Sequence, residues 1–308
     1  MSTSVEQIRT GAELNDPLQT KPQAPDRLFF ATGIMLDADD FRAEQLYHRS
    51  RLSRALLYLH GSGTVAGLLV EWVRPLAPGA DPRFPKGVEE SIEVKPGMAI
   101  DRLGRVIEVP ATACIRLGRW YEQQDPDELF KAFHSATPGE PKSVITVDVF
   151  IRFHVCERGK TPALATGPFD ALDAVQPSRL REFYKLELVA REEDPAPLPT
   201  DRWPDLGGIS GAAARRTAIH KAIFQAWREG KEGDGKGWDQ DGPARLTEDA
   251  LTPQQDPTSL FLARLQIPVN PPASGGRPKR KPGIDVVVNN LSRRFVYTGA
   301  ALAKLIGS

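Results

Sequence analysis

Two cysteines and five histidines are the residues of this 308-residue chain best suited to metal binding or nucleophilic catalysis. His154 precedes Cys156 by two positions on a predicted strand, so the two side chains face the same way and, with Cys114, could form a zinc site. His48 and His60 lie twelve residues apart on a predicted helix, too far for one metal ion, and no HExxH motif occurs. A free cysteine is more often a small apolar core residue, and no base-orienting motif accompanies the Cys–His pair. We therefore predict no metal, no cofactor and no catalytic residue.

Two further patterns resemble ligand-binding loops. Asp234, Asp239 and Asp241 lie in a glycine-rich segment and could bind calcium, but they lack the EF-hand spacing and its bidentate glutamate, which favours a solvated loop. Three glycines in the segment 61–67 resemble a phosphate-binding loop. Here, however, a predicted helix ends and a strand begins, so the negative end of the helix dipole would face the phosphate. Nucleotide binding is not expected.

Basic residues cluster near the C-terminus at Arg277, Lys279, Arg280 and Lys281. No aromatic residues alternate with them, so the tract is a poor platform for nucleic acid. The chain as a whole has forty basic and forty acidic residues, and its formal net charge is zero, which excludes general attraction to nucleic acid. The tract is either a solvated loop or a docking site for an acidic neighbour.

A second charged cluster combines Glu157 and Arg158 with Arg179, Arg181 and Glu182. Charges beside strong predicted strands are costly unless they are paired or face solvent. One interpretation is an ion-pair network that fixes the loop between residues 157 and 181. The other is a contact between subunits, and the sequence alone does not separate them.

A predicted helix at about 38–60 is the element that organises the rest of the chain. Asp37 or Asp39 can cap its first turn, and Gly61 suits its end. Apolar residues recur along it in steps of three and four, which predicts one buried stripe against a sheet. The predicted stripe consists of Phe41, Leu52, Ala55, Leu56 and Leu59, with Gln45 and His48. The polar residues Arg42, Glu44, Arg49, Ser50 and Arg54 are expected to meet water or a partner.

The other segments predict an α+β fold rich in β-structure, with antiparallel sheets or a small barrel braced by the long helix and with a short C-terminal helix. The strongest strand is 143–155, in which every second residue is apolar. We predict an extended or disordered arm over residues 1–26 and a helix plus small β domain over 27–118. A second β-rich part follows over 119–308, with a helical insertion near 212–228. No segment of the sequence is apolar over a long enough stretch to predict a membrane span.

Several motifs lie in order along residues 29–300. They are GIML at 33–36, DFRAEQLYHRSR at 40–51, LHGSGTVAGL at 59–68, VKPGMAIDRLGR at 94–105, ERGKTP at 157–162, PSRLRE at 177–182 and the pair Arg293–Arg294. In these motifs the chain resembles a family of proteins encoded beside phage-tail-like contractile injection systems. Segment 33–47 is also similar to the opening of the type VI secretion baseplate adaptor. The chain departs from the family pattern at Ser62 and Ala66, where tryptophan and cysteine are typical.

The resemblance implies a structural, non-enzymatic component of the baseplate or tail tip. It would be made and assembled in the cytoplasm, and would form a homo-oligomer in contact with other baseplate, spike or sheath subunits, without nucleic acid or membrane insertion. Interfaces of this kind rest on buried aromatic anchors. The candidate anchors are Trp72, Trp120, Trp203 and Trp238. The alternative is a tail-fibre, receptor-binding or carbohydrate-binding module, for which Trp238 with Asp239 and Asp241 is the local candidate site.

Overall fold

The computed structural model confirms the predicted α+β class with antiparallel sheets, and none of the sheets in its described residues closes into a barrel. The described residues are 26–137, 139–162, 175–199, 203–226, 251–252, 255–256, 258–272 and 276–306. The helices are α1 (Ala38–His60), α2 (Leu117–Gln123), α3 (Pro126–Lys131), α4 (Ala212–Ala226) and α5 (Gly299–Ile306). The strands are β1 (Gly63–Gly67), β2 (Val70–Val73), β3 (Ser91–Val94), β4 (Gly97–Ile100), β5 (Val106–Val109), β6 (Ala113–Arg116), β7 (Phe133–Ser135), β8 (Lys142–Pro162), β9 (Val175–Ala190), β10 (Leu260–Asn270), β11 (Lys279–Arg280) and β12 (Val287–Asn289).

Helix α1 begins and ends with the signals that the sequence predicts. The Asp37 carboxylate accepts hydrogen bonds from the backbone N–H groups of Asp39 and Asp40, and the Asp40 carboxylate accepts one from the N–H of Asp37, which completes a capping box. Gly61 has a φ of 78°, and its N–H donates to the carbonyl of Leu57. The helix is therefore closed at both ends by its own sequence.

The first 116 residues contain two small antiparallel sheets. In one, the strands lie in the order β1-β4-β5, and in the other in the order β2-β3-β6. The turn 101–105 joins β4 to β5, and the Asp101 carboxylate accepts hydrogen bonds there from the N–H groups of Leu103 and Arg105. Gly104 of this turn contacts α1 at Ser53 and Leu57.

The large sheet is built around β8. One edge of β8 pairs with β10, and the other edge pairs with β7 and with β9, all antiparallel. Of the alternating apolar residues predicted to share one buried face, those from Ile145 to Phe153 are at most 3% exposed, which confirms the prediction, and the last one, Val155, is half-buried. The opposite face is also buried at Val144, Asp148 and Phe150, because β8 is an interior strand covered on both sides.

The C-terminal segment returns to the beginning of the fold. The backbone N–H of Thr64 donates to the carbonyl of Arg294, and the N–H of Val296 donates to the carbonyl of Thr64. Asn290 forms two hydrogen bonds with the backbone of Val70. Residues 294–297 make a single bridge, between Phe295 and Thr64. One hydrophobic core includes residues from the small sheets and from β8 and β10, so these elements pack as one body.

Candidate interaction surface

The face of α1 that meets the rest of the molecule is small and mostly polar. Ser50, Ser53 and Leu57 are its buried residues. Ser53 and Leu57 lie against the turn 101–105, where the space beside Gly104 is filled by the backbone of Ser53. Small side chains are required at such a contact because the helix backbone and the turn approach each other directly.

The predicted burial of the apolar stripe is therefore wrong. Phe41 is 56% exposed, Leu52 is 59% exposed and Leu59 is 77% exposed. Ala55 is also exposed, as are the polar members Gln45 and His48, and only Leu56 is half-buried. At 100° per residue this stripe lies almost opposite the buried serine face. The tight contact at Gly104 selects the serine face for burial, and the apolar stripe points away from the fold.

A two-stranded ribbon formed by β8 and β9 lies beside α1. Beyond Cys156, which pairs with Arg181, residues 157–162 and 177–180 are exposed, including Leu180 at 63%. Phe183, which pairs with His154, is 40% exposed. The Arg49 guanidinium lies 3.8 Å from the Glu182 carboxylate, which connects α1 to the ribbon. The ribbon and the stripe thus form neighbouring parts of one surface.

The ion-pair network predicted for the ribbon is not formed within the described part of the chain. Arg158 and Arg179 face each other across the two strands, and Glu157 faces Leu180, so the register places no opposite charges in direct pairs. Among these residues and Arg181, none forms an ion pair with a described residue, and all are exposed. Contact between subunits remains the interpretation for this cluster.

A cavity of about 740 Å³ lies at the C-terminal end of α1. Its walls include Leu59, Trp203, Leu291, Phe295 and Leu302, together with polar and basic residues. None of the described residues that line it is a carboxylate. The cavity continues the apolar stripe, since Leu59 belongs to both.

One wall of this cavity is held by a buried arginine. Arg293 is 6% exposed and donates to the carbonyls of Leu68 and Asn290 and to the amide oxygen of Asn290. Burial lowers the pKa of Arg293 to about 10. Leu68 has a φ of 55°, an uncommon conformation for a non-glycine residue, and Arg293 satisfies its carbonyl. Arg293 thus acts as a brace for the β1–β2 connection.

A buried charge cluster connects β8, β10 and the residue that follows β9. The Asp148 carboxylate accepts two hydrogen bonds from Arg264, at 2.7 and 2.9 Å, and lies 3.6 Å from Arg191. Asp148 and Arg191 are fully buried. Burial raises the pKa of Asp148, and the guanidinium groups of Arg264 and Arg191 oppose that rise. The sequence feature that could have indicated this cluster is a charged residue in the middle of each of two strongly apolar strands, Asp148 in β8 and Arg264 in β10.

A second buried pair joins Asp101 to Arg105 at 2.6 Å. Arg105 also donates to the hydroxyl of Thr258 and lies 4.5 Å from the ring centroid of Phe153. Burial raises the pKa of Asp101, against the effect of Arg105. Both clusters are enclosed and bonded to other groups of the protein. We therefore interpret them as structural ion pairs that connect the turn, the strands and the neighbouring loops.

The four tryptophans predicted as anchors have different environments. Trp120 is in the core, where its indole N–H donates to the carbonyl of Leu188. It is therefore not available to a partner, contrary to the prediction that it anchors an interface. Trp72 is half-buried and donates to Glu90. Trp203 is 42% exposed at the cavity, and Trp238 lies outside the described residues.

The basic tract is largely occupied by contacts within the chain. Arg280 donates to the Glu90 carboxylate at 2.8 Å and to the carbonyls of Pro268 and Ile284. Arg277 donates to the carbonyl of Gln124. Lys279 is exposed. This tract therefore ties β11 to the small sheets, and Lys279 rather than Arg280 faces solvent.

The structure also shows where the two cysteines considered as zinc ligands lie. Cys114 is exposed and Cys156 is half-buried on different sheets. In the ranges that the structure describes, no group of three or more His, Cys, Asp or Glu side chains is placed to hold a metal ion. Asp234, Asp239 and Asp241, for which a solvated loop is predicted rather than a calcium site, lie outside these ranges.

No protein-family model matches the chain, and no curated protein matches it in sequence. None of the helices in the described ranges is long and apolar enough to cross a membrane.

Proposed function

We propose that this protein is a structural, non-enzymatic subunit of a contractile injection particle, placed at the baseplate or tail tip and in contact with neighbouring subunits. Two independent features support the proposal. The first is the ordered set of motifs along residues 29–300, which resembles the family described above. The second is the surface formed by the α1 stripe and the β8–β9 ribbon.

The exposed stripe is the observation that carries the proposal. Phe41, Leu52 and Leu59 are each more than half exposed on one side of a single helix. Burial of such a side chain contributes about 1.5–3 kcal/mol, and contiguous exposed apolar surface is typical of protein interaction sites. A chain that leaves this stripe in water gains stability by assembling with another subunit.

The buried charges support a non-enzymatic role. Catalytic groups need access to a substrate, whereas Asp101 and Asp148 are fully buried and bonded to arginines. The described residues that line the cavity at the end of α1 include aromatic and basic side chains and His60, but no carboxylate. The proposed role therefore depends on the shape and surface of the chain rather than on a reacting group.

The test uses a bacterium that carries the gene beside a contractile injection cluster. An affinity-tagged copy at the native locus is expected to sediment with purified particles, and deletion of the gene is expected to leave particles that lack a complete baseplate or tip in electron micrographs. A tagged protein that stays entirely outside the particle fraction, with intact particles in the deletion strain, would contradict the proposal.

A matched pair of variants connects this test to the surface. Leu52→Glu places a charge on the stripe, and Ala43→Glu places the same charge at an exposed position on another side of α1. We expect Leu52→Glu to lower the amount of protein in the particle fraction at least fivefold and Ala43→Glu to leave it within twofold.

A further inference from the structure

The cavity at the end of α1 brings positive charge together with aromatic walls. Arg293 and Arg294 line it, and Trp203, Phe295 and Tyr297 contribute aromatic rings to it. These three aromatic residues are between 41% and 52% exposed, so the cavity opens to solvent. Its volume of about 740 Å³ is within the range of sites that bind small organic molecules.

The buried Arg293 has no carboxylate partner in the described part of the chain. Its acceptors there are the carbonyls of Leu68 and Asn290, the amide oxygen of Asn290 and the hydroxyl of Thr64, which are all neutral. A guanidinium has five N–H groups, and these bonds account for four of them, which leaves one on Nη2. A buried charge is costly unless an opposite charge balances it. Burial without such a charge is also the reason why the pKa of Arg293 is lowered.

A second polar group in the cavity wall lacks a partner. Ser62 is 8% exposed, and its hydroxyl forms no hydrogen bond with a described residue. Rotation of this hydroxyl about χ1 toward the cavity therefore breaks no hydrogen bond. A ligand oxygen could use the Ser62 hydroxyl as well as the remaining N–H of Arg293.

The charges around the cavity favour an anion. The described residues that line it include no carboxylate, whereas Arg293 and Arg294 are both positively charged at neutral pH. The C-terminal end of α1 opposes these two charges with only about half a negative charge. The balance at the cavity is therefore positive, and the low polarity of its aromatic walls strengthens the attraction of an anion.

We propose that this cavity binds a small organic carboxylate with a flat, aromatic or apolar body. The carboxylate supplies the counter-charge for Arg293, and the body packs against the rings of Trp203, Phe295 and Tyr297. A carboxylate carries a single negative charge, which matches the single charge of Arg293. A phosphate carries up to two, and the end of α1 opposes it more strongly. This inference goes beyond the proposed function and does not depend on it, since it concerns the isolated chain.

The first test compares two probes of similar shape, 1-naphthaleneacetate and its neutral amide, 1-naphthaleneacetamide. Isothermal titration calorimetry of the purified full chain at neutral pH is expected to give a dissociation constant at least about tenfold lower for the acid, because only the acid balances the charge of Arg293. A smaller ratio, or no binding of the acid at a concentration of about 5 mM, overturns the proposal.

The second test locates the bound acid. Arg294→Gln removes a positive charge from the cavity, and Trp203→Ala removes an aromatic wall. Each variant is expected to weaken binding of 1-naphthaleneacetate at least about threefold. Arg293 is not substituted in this test because it also braces the β1–β2 connection. Far-ultraviolet spectra check that the variants are folded.

Three variants outside the cavity serve as controls. Arg119→Gln and Phe224→Ala make the matched changes at exposed positions, and Leu52→Glu changes the apolar stripe of α1. All three are expected to bind the acid with an affinity within about twofold of that of the unmodified chain. A smaller loss than expected in either cavity variant, or an equal loss in the controls, overturns the assignment of the ligand to this cavity.

Discussion

Gly104 lies against the backbone of Ser53 so closely that a Cβ atom at Gly104 would be 1.9 Å from the Ser53 carbonyl oxygen. Gly104 also has a φ of 84°, in the left-handed region that favours glycine. This contact fixes which face of α1 is buried. As a result, the apolar stripe points outward, and the proposed function depends on this orientation of the stripe.

Gly104→Ala is expected to destabilise the fold and displace α1. The left-handed conformation alone costs about 1–3 kcal/mol for a non-glycine residue, and the overlap with Ser53 adds to that loss. Gly79→Ala is the matched control, because Gly79 has a φ of 78° and no atom within 4 Å of its Cβ position. Chemical denaturation of both variants measures the difference. Equal losses of stability would show that the close contact with Ser53 is unimportant.

Arg264→Met is expected to lower the free energy of unfolding by about 3–5 kcal/mol at neutral pH, because it leaves Asp148 buried without its bidentate partner. Burial already raises the pKa of Asp148, so the folded chain keeps this proton to a higher pH than the unfolded chain does. Loss of Arg264 raises that pKa further. The destabilisation should therefore be largest above the folded pKa of Asp148 and should shrink as the pH falls below it.

The control for the Asp148 cluster is the double variant Arg264→Met with Asp148→Leu. Removing both charges avoids the unpaired buried carboxylate, so this variant should recover much of the lost stability and lose the pH dependence of the single variant. A single variant whose stability loss is the same at every pH would contradict this account of the cluster.

Arg293→Lys is expected to lower the free energy of unfolding by about 1.5–3 kcal/mol, the range for hydrogen bonds to a charged group. A lysine ammonium cannot reach the carbonyl of Leu68 and the two acceptors of Asn290 with the geometry of the guanidinium fork. Arg119→Lys, at an exposed position, should change stability by less than about 0.5 kcal/mol. Thermal and urea unfolding of the two variants provide the comparison, and equal stabilities would contradict the bracing role of Arg293.

The sequence predicted the fold class, the caps of α1 and the central strand β8 because each depends on local signals: Asp37 and Gly61 for the helix, and alternation for the strand. It did not predict which face of α1 is buried. Periodicity identifies an apolar stripe but not whether the chain itself covers it, and the covering contact at Gly104 is long-range. The Asp148–Arg264 pair was likewise hidden, since it joins strands 116 residues apart.

The β8–β9 ribbon yields a prediction that separates assembly from stability. The double variant Arg179→Glu with Arg181→Glu changes exposed residues that lack an ion pair in the described ranges, so the free energy of unfolding should stay within about 0.5 kcal/mol. If the ribbon contacts a neighbouring subunit, the amount of the variant in purified particles should fall severalfold. Normal incorporation would remove these arginines from the proposed interface.

The most direct measurement of the central claim is an electron cryomicroscopy map of the assembled particle at side-chain resolution. We expect density for this chain at the baseplate or tail tip, with Phe41, Leu52 and Leu59 buried against another polypeptide. A map in which every subunit of the baseplate and tip is assigned without this chain would contradict its role as a structural component.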